Sequence, residues 1–148
     1  MGESRRYWVL SLLFTLLFLC GIGVVEKLEG SKIKTSEHLE FGIGHLMVGS
    51  MISFVIFAAL LLPLSLILRT LLSKLLIYTG IGFLIGKWFF HFWYYDPFVK
   101  SYGLEEGTSI IVFMGVGTVY AYLEHYVSAY LKSSQTRESE DAHERKEE

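Results

Sequence analysis

The sequence predicts an all-α integral membrane protein, a four-helix bundle with four transmembrane helices. Three observations lead there. Hydrophobic residues make up 52% of the 148, and they are clustered: between Phe41 and Tyr95 the only formal charges are Arg69, Lys74 and Lys87. About 20 apolar residues in a row already cross a hydrocarbon core, and no soluble fold needs so long a run. Aromatic residues also gather at the ends of the apolar runs, Tyr7 and Trp8, then Trp93 to Tyr95, then Tyr126 and Tyr130. Such amphipathic rings anchor helices at a membrane interface.

The first span runs from Tyr7 to Val25, uncharged and preceded by Arg5 and Arg6. A basic start before an apolar stretch also opens a signal peptide. No small-x-small cleavage site follows, however, and Leu19 occupies the place before Cys20 where a lipoprotein signal wants a small residue. The segment therefore reads as an uncleaved helix. The second span begins at Phe41 and ends at Leu62 or Leu68, the third covers Leu75 to Tyr95, and the fourth Thr108 to Leu131. Each is long enough for a helix, which satisfies its own backbone groups in lipid, and none alternates as a barrel strand does.

Between spans two and three, Ser65, Arg69 and Ser73 fall at steps of four with Thr70 beside them. This polar stripe on a leucine-rich segment, opened by Pro63, fits a short amphipathic helix lying in the interface. The competing reading is a longer second span kinked at Pro63, with a tight turn from Arg69 to Lys74. Residues 1–132 form one transmembrane domain. Residues 133–148 form a charged tail, either disordered or an extension of the last helix.

Lysine and arginine counts set the orientation. With the amino terminus inside, the cytoplasmic side holds Arg5, Arg6, Arg69, Lys74, Lys132 and Arg137, against Lys27, Lys32, Lys34 and Lys100 outside. Both termini are then cytoplasmic. The net charge of −2 gives nucleic acid no purchase, and a single cysteine excludes an intramolecular disulfide framework. The partners implied are the lipid bilayer and other membrane subunits, or a second copy of the chain.

Small residues recur at helical spacing. Span two carries Gly42, His45, Gly49 and Ser53, span three Gly82 and Gly86, and span four Gly117, Ala121, Glu124 and Ser128. Burying lipid-facing apolar surface gains nothing in oil, so close backbone approach through small residues is the usual adhesive.

Five ionisable groups fall inside the spans: His45, Lys87, His91, Glu124 and His125. Groups of this kind are rare in lipid, face protein or water, and are candidates for function. Counting about 1.5 Å per residue puts His45 and His91 at equal depth, about 6 Å below the outer boundary. Together they are candidate axial ligands for haem b. With His38 they are a candidate divalent-metal site, since imidazole suits several metals. Lys87, near the middle of span three, can reach along its helix toward Glu124 as an ion pair. Alternatively it snorkels outward, Glu124 reaches the inner interface, and His125 anchors there among tyrosines. No phosphate loop, nucleophile elbow or HExxH is present, so the predicted role is non-catalytic. It is that of a subunit or accessory of a membrane complex, or of a self-associating protein. Transport or proton relay through Lys87 and Glu124 is the first alternative. A redox module on His45 and His91 is the second.

Overall fold

The structure, a computed structural model, describes the backbone of residues 2–34 and 42–147, and the side chains of residues 4–34, 42–134 and 136. It is all helical, with no strand among the described residues. Helix α1 covers Gly2–Leu28 and is followed by a single 3-10 turn, Gly30–Lys32. Helix α2 runs Ile43–Ile67, α3 Leu71–Trp93, α4 Asp96–Tyr102, and α5 Glu106–Glu147. Among the described residues, four stretches are long and apolar enough to cross a membrane: Ser4–Lys32, Ile43–Ile67, Leu71–Trp93 and Glu106–Ser134.

The segment around Pro63 decides between the two readings of the second connection. No separate interfacial helix forms. Instead α2 continues through Pro63 to Ile67, as the longer, proline-bearing span would have it. Proline has no N–H to donate and its ring crowds the carbonyl four residues back. The chain accommodates this just upstream by widening to a π-turn over Phe57–Leu61, where the Leu62 N–H reaches back to the Phe57 carbonyl. The Ser65 hydroxyl donates to the Leu62 carbonyl at 2.9 Å, satisfying another group near the break. Three residues later the turn is complete. Thr70 caps α3, its Oγ1 accepting from the Ser73 N–H at 3.3 Å, so the third helix starts four residues before Leu75.

Helix α4 was not anticipated, although its signals are legible. Asp96 and Pro97 open it, and Gly103 closes it with a left-handed φ of 63°. The fourth span keeps its helical path into the charged tail, and α5 reaches 42 residues. At about 1.5 Å per residue it is roughly 63 Å long, twice a bilayer core.

Helices α1 and α5 pack on each other, with α3 held mainly against α5 and α2 against α1, and all four close around a small cavity lined by Phe14, Leu61, Tyr78 and Phe113. The α3–α5 pairing is the closest. A Cβ added at Gly82 would meet the Phe113 backbone, one at Gly86 the backbone of Ser109 and Ile110, and one at Gly117 the Tyr78 carbonyl. Near contact of this kind lets Ser109 Oγ donate to the Gly86 carbonyl at 2.8 Å and brings the Thr79 and Thr118 hydroxyls to 2.8 Å. Down the middle runs a chain of rings: Phe14 on Tyr120 at 5.3 Å, Phe18 on Phe113 at 5.3 Å, Phe89 on Phe113 at 5.1 Å and Tyr78 on Tyr120 at 5.4 Å. The small residues of spans three and four therefore do face inward, as their spacing predicts.

Candidate functional site

Among the described residues, two buried carboxylate clusters lie at opposite ends of the bundle. At the end that carries the chain termini, Glu124 of α5 is completely buried. Its Oε1 takes the Lys74 ammonium at 2.7 Å and its Oε2 accepts from the Tyr78 hydroxyl at 2.6 Å. Both partners come from α3, one turn apart, on the same face as Gly82 and Gly86. A charge-assisted bond this short in a desolvated site ties α3 to α5 more tightly than a surface pair could. Beside it the Tyr120 hydroxyl, one turn before Glu124, is buried without a hydrogen-bond partner, as is Ser128 Oγ one turn after.

Lys74 is thus the partner of Glu124, not Lys87. Lys87 lies thirteen residues further along α3, roughly 20 Å down the axis, and is exposed. The lysine stem cannot cover that distance. A third span beginning at Leu75 leaves Lys74 in the connection, which hides its place on the inward face of α3. The clue available was the four-residue step from Lys74 through Tyr78 and Gly82 to Gly86.

At the loop end, Glu26 and Glu29 are both buried, 9% and 2% exposed. Glu29 is held by three groups, Lys32 Nζ at 2.8 Å, the Glu105 N–H at 2.9 Å and Thr108 Oγ1 at 2.6 Å, and Lys32 ends the 3-10 turn. Glu26 accepts from the Tyr94 hydroxyl at 2.9 Å and from Trp93 Nε1 at 3.3 Å. These contacts clasp the end of α1 to the end of α3 and the start of α5. A Cβ at Gly30 would overlap the Glu26 carboxylate, so glycine leaves that carboxylate its place beside Trp93 and Tyr94. A first span that ends at Val25 leaves both acids in the outer connection. They in fact continue the buried face of α1 marked by Phe18, Ile22 and Val25.

No protein-family model, curated protein or solved structure matches this chain.

The histidines do not converge. His45 Nδ1 accepts from the Gly42 N–H at 3.2 Å, closing the first turn of α2, and the His45 ring packs on Trp93 at 5.0 Å. His91 Nε2 lies 3.5 Å from Glu106 Oε1 on α5 and is mostly exposed. Trp93 and His91 are two residues apart, about 200° around a helix, so the two imidazoles serve opposite sides of α3. His38 falls outside the described residues. Among the described residues no three potential ligands gather as a metal site would require. His125 is half-buried beside Tyr126, ring centroids 6.0 Å apart, in keeping with an amphipathic anchor.

Between α2 and α3 the exterior opens into an apolar groove of about 520 Å³. It is lined by Met51, Val55 and Leu60 on one side and Leu84, Ile85 and Trp88 on the other.

Proposed function

We propose that this chain is a multi-pass membrane protein with both termini in the cytoplasm, serving as a non-catalytic component of a membrane complex. The observation that carries the reading is the open apolar groove between α2 and α3. Large exposed apolar patches mark lipid or partner surfaces, and helix α2, held mainly against α1, leaves most of its length for such contact. The buried carboxylates support it from the other direction. Each already takes donors from the chain itself, so their chemistry is committed to holding the helices together. Basic residues at the terminal end, Arg5, Arg6, Arg69 and Lys132, favour the cytoplasmic side for that end.

The test is two-part. Alkaline carbonate should leave the protein in the membrane pellet. Extraction into lipid nanodiscs directly from its native membrane should then yield a particle holding a second polypeptide or a second copy. A lone chain in every particle would overturn the complex-component reading.

Proton relay is a second reading, favoured by the unpartnered Tyr120 hydroxyl beside the Lys74–Glu124–Tyr78 group. Buried orphan hydroxyls of this kind are where an internal water belongs. Proteoliposomes should then show a proton flux that Glu124→Gln abolishes. No difference from empty vesicles would remove this alternative.

A further inference from the structure

Resting on the membrane reading above, we propose that the outward flank of α3 around Lys87 receives a transmembrane helix of another protein carrying an aspartate or glutamate at the same depth. Among the cations of the described spans Lys87 stands apart by its depth, since Arg5, Arg6, Lys27 and Lys132 also lack an ion pair but lie near the ends of their spans. Lys74 is paired with Glu124, Lys32 with Glu29, and His91 faces Glu106. Among the described residues Lys87 has no ion pair or hydrogen bond, and it points out of the bundle. Its neighbours on that flank are apolar and exposed: Phe83, Leu84 and Trp88. Gly80, about two turns before it, has nothing within 4 Å of where a Cβ would stand.

Lys87 is six residues short of the end of α3 at Trp93, roughly 9 Å inside the helix end. An ammonium at that depth in oil needs either an opposite charge or a path to water. Leu84 and Trp88, flanking Lys87 on α3, also form one wall of the groove, which gives a neighbouring helix a place for its side-chain ridge. Charge complementarity then names the partner. A second copy of this chain does not qualify, because no carboxylate on its described spans is open at the depth of Lys87: Glu124 and Glu26 are buried, Glu29 is held by Lys32, and Glu106 lies level with His91, one turn nearer the end of α3. What fits is a foreign helix with a carboxylate free to meet the lysine, the two charges neutralising each other where water is scarce.

The experiment uses the full-length chain in liposomes, labelled at its carboxyl terminus, titrated with a synthetic single-span leucine–alanine helix carrying an acceptor dye. One probe helix has an aspartate at the depth of Lys87, and its controls have asparagine or leucine there. Energy transfer should report association roughly tenfold tighter for the aspartate helix than for the leucine helix. Lys87→Met should erase that preference and Lys87→Arg should keep it, with helical content unchanged in both because the side chain is exposed. Equal binding of all three probes, or an aspartate preference that survives Lys87→Met, would overturn the proposal. So would a preference that emerges only after Glu37 and Glu40 are both changed to glutamine, since the lysine's partner would then be internal. If the chain failed to float with the liposomes, the membrane reading would fall along with it. Flotation without any aspartate preference would sink this inference alone.

Discussion

Replacing Lys74 with methionine removes one half of a wholly buried pair and leaves the other. The side chains of Lys74 and Glu124 are 5% and 0% exposed and their charged atoms are 2.7 Å apart. The small values typical of surface pairs therefore do not apply. After the change Glu124 Oε1 has lost its donor, and only Tyr78 still serves the carboxylate, at Oε2. Breaking a buried pair from one side costs about 3 kcal/mol or more, and we expect that loss for Lys74→Met and again for Glu124→Met. Substituting both with methionine removes the uncompensated charge. The double variant should then fall within about 1 kcal/mol of the parent, although simple addition would give about 6. The cycle is measured by equilibrium unfolding in mixed micelles, with helical circular dichroism as the signal. Tyr78→Phe supplies the scale of a single hydrogen bond between helices, about 1 kcal/mol. Single variants that each lose less than about 1 kcal/mol, with losses that add in the double, would refute the pair as the tie between α3 and α5.

The glycines provide a contrast within one helix pair. Gly82→Ala and Gly117→Ala each drive a Cβ into backbone of the opposite helix, and should lower the thermal midpoint by the equivalent of about 2 kcal/mol or more. Gly80→Ala and Gly115→Ala meet open space and should leave it unchanged or slightly raised, because alanine favours the helix. Glu29→Gln loses the Lys32 ion pair and weakens the bonds that hold Glu105 and Thr108. Hydrogen exchange should accelerate at the start of α5 while the Gly117 region stays protected. Pro63→Ala restores a donor opposite the Ala59 carbonyl, and the π-turn at Phe57–Leu61 should relax to an ordinary helix with little change in midpoint, visible as shifted amide resonances there.

The four long helices were legible because the apolar runs exceed anything a water-soluble core requires, and their small-residue faces because packing in oil selects them. What the residues hid was register at the ends. Pro63 looked like a boundary, yet one missing N–H is absorbed by a single wide turn, so α2 continued and α3 began at Leu71. That shift moved Lys74 from a loop to the buried face and exchanged it for Lys87 as the partner of Glu124. The burial of Glu26 and Glu29 escapes the sequence for a related reason. Acidic residues just past an apolar run read as solvated, and only the contacts from Trp93, Tyr94 and Thr108, remote in sequence, draw them inside. Counting residues from the span ends sets His45 and His91 at one depth but says nothing about which way each ring turns.

The account stands on four helices crossing oil in alternating directions, and cysteine accessibility in sealed right-side-out vesicles addresses this most directly. In a Cys20→Ser background, single cysteines at Ser31 and Ser101 should react with a membrane-impermeant maleimide from outside. Those at Ser4, Thr70 and Ser133 should react only after the vesicles are opened. Labelling of all five sites from one side would contradict the account.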